Sequence, residues 1–461
     1  MKIINPATEA LIREVKEDSD LSVRKKFERA QAAQCQWATV PISQRVEAMA
    51  RFERLLDEET DRLAEVLTSE VGKPIRESHN ELAGARHRIR YFVEHSEAVL
   101  EAGTVHEETG MVEYLEYEPL GVVGNISAWN YPYLVGVNVF VPALIGGNAV
   151  LYKPSEYATL TGLELGRLLH RAGIPKDIFQ TLVGGPAIGK KLLRLPLDGY
   201  FFTGSYQTGR SIAEAVRSRL VPLGMELGGK DPLYVADDVL DISQVAKAVV
   251  EGCFYNNGQS CCAVERVYVQ QKIYRQFLEA FLGEVKKLRV GDPLDPTVTQ
   301  GPITRPRHRL LLEVQVRDAV AKGAKLLEGG HRWGKRGFFF EPTVLTRVNH
   351  KMRVMKEETF GPVIGIQSVR DDAQAVRLMN DTEYGLTAAV YSGSESRARA
   401  ILKQIDAGTG YWNCCDRVSP NLPWSGRKHS GIGATLSTVG IQTFVRPKAY
   451  HLRGDHPLPS C

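Results

Sequence analysis

The sequence predicts an α/β protein built from two parallel-sheet domains, with a small projecting sheet beside them. Three observations predict it. Short apolar strands alternate with helix-length segments from about 120 to 228, the pattern of a parallel sheet covered by helices. The alternation resumes from about 231 to 425. A chain of 461 residues, 43% hydrophobic and 24% charged, is also more than one compact core encloses.

Residues 20 to 102 read as three or four amphipathic helices, because apolar residues recur every three or four positions among Arg and Glu, as in RVEAMARF. MVEYLEYEP then alternates like a strand, and GVVGNI follows the Pro119-Leu120-Gly121 break as a short apolar strand. Residues 132 to 151 carry no charge and have the length of a membrane span, but their Pro, Gly and Asn content argues for a buried helix over 133–145, a turn, and a strand over 149–153. Further strands are expected at IFQTLV, GYFFTG and VPLGMEL, with helices over 159–172, after Gly185 and over 206–219. The second series has strands near DPLYVA, ERVYVQ, VIGIQSV, LTAAVYS and GTGYWN, and helices near 241–256, 272–288, 304–322, 372–381 and 395–406. The tail IQTFVRPKAY reads as a strand that joins EYLEY in the projecting sheet. Exposed strand edges are usually covered, so a homo-oligomer is expected.

A formal charge of +4 with no long like-charge run names no nucleic-acid or membrane partner. The seven cysteines are odd in number and include two vicinal pairs, which suits neither a disulfide framework nor the CxxC spacing of a metal site. That usage and an N-terminus without an apolar signal core lead to the expectation of a cytoplasmic protein without a metal.

GQSCC places Cys261 and Cys262 among small, turn-forming residues, 35 positions after Glu226 of MELGGK for the first of them. A thiol with an acid able to act as base equips a chain for covalent catalysis at carbonyl carbon, although buried cysteines are more often inert. FTGS ends an apolar strand and opens a helix, so Gly204 and Ser205 read equally as a phosphate rest at a helix N-terminus or as a Ser-capped turn. In KPSE, Lys153 and Glu156 follow a strand of the same sheet; they read as ribose contacts or as an exposed loop pair, and Glu156 would repel a 2′-phosphate. Asn130 of AWNYP could donate to an oxyanion or simply bond its own turn.

These motifs, together with EETFGP, NDTEYGL and PWSGRKHSGIG, resemble those of the NAD(P)-dependent aldehyde dehydrogenase superfamily, in family order and over essentially the whole chain. The resemblance implies a Rossmann-like cofactor domain from 1–100 and 120–228, a catalytic domain from 229–430, and an oligomerisation segment from 101–119 and 431–455. It implies Cys261 as nucleophile, Glu226 as the base that activates water, and Asn130 with the Cys261 N–H as oxyanion donors. NAD, with NADP as an option, would be held by Lys153, Glu156, Gly204, Ser205, Glu358 and Phe360, with Ser127 and Trp129 beside them. Tyr131, Val135, Asn138, Cys262 and Trp424 would form the aldehyde pocket. A homodimer or homotetramer would be the usual assembly.

The chain departs from the family at three points. Val139 and Thr435 stand where many relatives carry a Lys and a Glu linked to a proton relay. Asn138 replaces the Arg with which relatives acting on succinate semialdehyde clamp a carboxylate, which leads to an expected preference for a medium-chain aliphatic or aromatic aldehyde, with Arg417 as a residual cation. Trp424 takes the place of a Phe. The rivals are a CoA-acylating or semialdehyde dehydrogenase of the same fold, disfavoured by Glu226 and Asn138 respectively, and a structural protein that keeps the fold without turnover. Cys262 is expected to pack, since adjacent cysteines bridge only with strain.

Overall fold

The computed structural model describes residues 1–454; Cys461 and residue 455, the end of the expected oligomerisation segment, lie outside the described residues. Two parallel sheets dominate. The first has six strands in the order Gly431–Ile432, Leu223–Glu226, Gly199–Thr203, Val122–Ile126, Ala149–Lys153 and Phe179–Thr181. The last five are parallel, and Gly431–Ile432 runs antiparallel at the edge. Register decides what this sheet presents: Ile126 pairs with Lys153 and Thr203 with Glu226, so Ser127, Lys153, Gly204 and Glu226 all emerge at one edge. That C-terminal edge is where open parallel sheets hold ligands.

The helix Pro132–Ile145 lies under this sheet and is buried at every position but Leu134, which explains a run that is apolar on all sides yet too short to span a bilayer. No helix among the described residues is long and apolar enough to cross a membrane. Four amphipathic helices, Asp20–Ala38, Ile42–Glu58, Thr60–Val71 and Ile75–Val99, form the expected helical layer. The first begins at a Ser19 capping box, and the third stops at Gly72 in the left-handed conformation, where a Cβ would also strike Pro302.

The second sheet has seven strands in the order Lys325–Glu328, Thr343–Thr346, Val363–Val369, Val264–Gln270, Asp231–Val235, Thr387–Tyr391 and Thr409–Trp412. Only Lys325–Glu328 is antiparallel to its neighbour. Val264–Gln270 is buried at all seven positions, as expected of a central strand with helices on both faces.

The projecting sheet forms between Gly103–Glu108, Met111–Pro119 and Val445–Arg453. Its C-terminal boundary corrects the expectation. Residues from 431 onward do not all project: Gly431–Ile432 completes the first sheet, and Ser437–Gln442 is a helix against Ile75–Val99 and Pro132–Ile145. The tail strand therefore starts at Val445, not at Ile441, because Ile441 and Phe444 are fully buried in the first core.

Candidate active site

Cys261 reaches its position through a tight loop. After the helix Ile242–Phe254 the chain turns through Asn256, Asn257 and Gly258, all at positive φ, two of them the residue type that tolerates the left-handed region best after glycine. Gly258 is required there: a Cβ would lie 2.5 Å from the Gly361 carbonyl oxygen. The loop then presents Cys261, partly exposed, just before the strand Val264–Gln270. Cys261 opens on a cavity of about 460 Å³ whose wall also includes Glu226.

The two vicinal thiols differ in setting. Cys262 is 4% exposed, and its thiol donates to Asp416 Oδ1 at 2.9 Å. The neighbouring Cys261 thiol, burial and the Asp416 charge push the Cys262 pKa well above the ordinary thiol value. A thiol so held stays protonated and makes a poor nucleophile. All six described cysteines are free, so no bridge joins the pair.

Glu226 ends its strand at the partition between this cavity and a smaller recess lined by Val139 and Thr435. Its carboxyl accepts a hydrogen bond from Thr435 Oγ1. Burial raises the Glu226 pKa, while the Thr435 bond and the Arg88 charge pull it back. Val139 and Thr435 thus both line one small, mostly apolar recess, and the Thr435 hydroxyl contacts the acid. Thr435 is fixed in turn by backbone bonds in both directions with Trp424, at 2.7 and 2.9 Å.

Asn130 is 4% exposed and outside the wall of the main cavity, against the Cys261 loop. Its Nδ2 donates to the Gln259 carbonyl at 3.1 Å, and its own carbonyl accepts from Asn256 Nδ2 at 3.2 Å. An amide nitrogen has two hydrogens, so one donor remains. Tyr131, Val135, Asn138, Cys262 and Trp424 all line the cavity, and Lys73 Nζ stands 3.7 Å above the Tyr131 ring.

The residues expected to hold a dinucleotide gather at the C-terminal edge of the first sheet. Lys153 is 4% exposed, and among the described residues its ammonium donates only to the Pro154 carbonyl, at 3.0 Å. A buried cation with unused donors suits ligand hydroxyls. Ser205 caps the helix Tyr206–Val216 by accepting from Thr208 N–H at 3.4 Å, so the capped-turn reading holds, and the helix keeps its positive end at this edge of the sheet. Gly204 needs its bare backbone, since a Cβ would meet the Phe202 ring at 2.4 Å. Ser127 is buried and donates its N–H to the Lys153 carbonyl, while Glu156 is half-buried on the following loop.

From the second sheet, Glu358 Oε1 accepts from the Gly229 N–H at 3.1 Å, and burial with the nearby Glu265 charge pushes its pKa up to about 8. Phe360, at positive φ, meets Trp129 edge to face at 5.5 Å. This loop is held by a device the sequence did not reveal. Buried Lys230 pairs with Glu265 at 2.7 Å, and Glu265 accepts from the Thr359 and Phe360 N–H groups at 2.8 Å each. Lys230 was visible in MELGGK; its partner was not, because 35 residues and a whole helix separate them. Arg88 is the other residue that sequence reasoning missed, a 7% exposed guanidinium on the cavity wall.

Two parallel α/β sheets thus bring a thiol and a carboxylate to one cavity. The chain belongs to the aldehyde dehydrogenase family, whose sequence profile matches residues 1–450. It is 35% identical over 446 residues to an NADP(+) succinate-semialdehyde dehydrogenase of Deinococcus radiodurans, covering 96% of this chain and 93% of that protein. It is 34% identical to the peroxisomal aminoaldehyde dehydrogenase 2 of Pisum sativum, over 97% and 91% of the two chains. The crystal structure of betaine aldehyde dehydrogenase from Staphylococcus aureus in complex with NAD+ superposes with a TM-score of 0.94 at 28% identity, over 100% of this chain and 92% of the other.

Proposed function

We propose that the protein oxidises an aldehyde to the carboxylic acid with NAD, or NADP, through a thioester on Cys261. The observation that carries this reading is the shared cavity: Cys261 from the second sheet and Glu226 from the first face the same space of about 460 Å³. Cys261 attacks the carbonyl carbon, and the free Asn130 N–H and the Cys261 backbone N–H hold the resulting oxyanion. Lys153, Glu156, Gly204, Ser205, Glu358 and Phe360, with Ser127 and Trp129 beside them, would hold the dinucleotide. When bound it supplies the two-electron acceptor that takes the sulfur-bound carbon to the acyl level. Glu226 then takes a proton from water, which releases the acid; an acid whose pKa burial raises is suited to that exchange. The aldehyde body runs along Tyr131, Val135 and Trp424, which suits a medium-chain aliphatic or aromatic skeleton.

The chain segments 1–100 and 120–228 serve the cofactor and 229–430 the chemistry. The mostly exposed strand Val445–Arg453, at the edge of its sheet among the described residues, suits burial in a homodimer or homotetramer.

NADH formation across a panel of aldehydes, with product analysis in the presence of CoA, tests the reading. Free acid is expected; acyl-CoA in its place would contradict the role of Glu226. Asn130→Ala is expected to lower kcat by about 100- to 1000-fold, the usual effect of losing one oxyanion donor. Unchanged kcat in a steady-state assay would remove Asn130 from the reaction. Thr435→Val removes the hydrogen bond that favours the Glu226 carboxylate, so the acid limb of the hydrolysis rate should move to higher pH and Thr435→Ser should restore it. A limb that stays put in the pH profile would show that Thr435 only packs.

A further inference from the structure

Arg88 lies on the helix Ile75–Val99, turned inward against the face of Pro132–Ile145 that also presents Val135 to the cavity. Its Nη1 donates to Asn138 Oδ1 at 2.9 Å and to the Leu134 carbonyl at 3.3 Å. Among the described residues, Nε and Nη2 donate to no protein group, and no carboxylate forms an ion pair with it. A guanidinium keeps its proton, and a buried charge without a counter-ion is costly.

The neighbouring carboxylates make their hydrogen bonds and ion pairs with groups other than Arg88. Glu81 pairs with Lys73 and accepts from the Tyr133 N–H, Glu226 accepts from Thr435, and Asp416 accepts from Cys262 and Ser260. Glu251 and Arg417 stand at the rim, both more than half exposed and 3.8 Å apart, where water screens them. Arg88 thus brings a guanidinium with two free donors to the inner wall of the cavity.

We infer that Arg88 recognises an anionic group at the far end of the substrate, so that the site takes aldehydes bearing a carboxylate a few carbons from the reacting carbonyl. This rests on the aldehyde-oxidising reading above and specifies its substrate. Asn138 cannot clamp a carboxylate, and on sequence alone that disfavours such aldehydes. In the structure Asn138 pins a guanidinium that arrives from another helix, leaving the Nε and Nη2 donors of a planar fork for a carboxylate.

The test compares kcat/KM for succinate semialdehyde with butanal, and for glutarate semialdehyde with pentanal, with 4-aminobutanal as a cationic arm. At least one carboxylate-bearing aldehyde should exceed its uncharged partner by about 10- to 100-fold, the range of a charge-assisted hydrogen bond. In Arg88→Gln that ratio should fall about 10-fold or more, with Arg88→Lys between the two. A ratio near one in both wild-type pairs, or a preference for 4-aminobutanal, would overturn the inference even if Arg88→Gln does not fold. NADH from the uncharged aldehydes alone would leave the general reading standing; no NADH from any aldehyde would sink that reading first.

Discussion

Cys261→Ala is expected to abolish NADH formation, by at least roughly ten-thousand-fold in kcat/KM, while Cys262→Ala retains turnover. The asymmetry follows from the two settings. Cys261 opens on the cavity, and Cys262 is buried with its proton committed to Asp416. Only a thiolate attacks a carbonyl at a useful rate, and every influence on Cys262 favours the thiol. Without Cys261 no carbonyl carbon becomes tetrahedral, so the loss should appear in the first turnover as well as in the steady state. Single-turnover NADH fluorescence checks this. A variant lacking Cys261 that still gives a full burst would move the nucleophile elsewhere.

Glu226→Gln is expected to separate the two half-reactions. The burst of NADH persists, and the following steady rate falls by about 100- to 10,000-fold, the range for removing a general base. Glutamine keeps the shape and still bonds Thr435, so packing at the partition is retained while proton acceptance is lost. Added hydroxylamine should restore turnover by cleaving the thioester without a base. If burst and steady rate fall together, Glu226 acts before acyl transfer and water activation must lie with another group.

Much of this arrangement was legible in the chain because the relevant signals are local. FTGS, KPSE and AWNYP each follow a strand of one sheet, and parallel register carries their turns to one edge. The pocket residues Tyr131, Val135 and Asn138 were named through the family resemblance, and the structure sets Val135 and Asn138 one turn apart on the helix Pro132–Ile145. What stayed hidden depends on contacts between distant segments. Arg88 stands in the run RHRIR, where a charge normally faces water; only the packing of Ile75–Val99 on Pro132–Ile145 turns this one inward. Asn138 therefore looked like an absence when it is half of a contact. Gly431–Ile432 is too short to show strand periodicity, yet pairing with Met225 and Glu226 places Thr435 on the acid. The Lys230–Glu265 pair needed the same knowledge of which strands meet.

The identity of the acylated atom bears most directly on the proposed chemistry. Glu226→Gln mixed with NAD and excess aldehyde, quenched in acid and mapped by peptide mass spectrometry, reads that atom. The predicted result is one acyl group per chain on Cys261, removed by hydroxylamine. Acylation of Cys262, or NADH released with both thiols unmodified throughout, would contradict it.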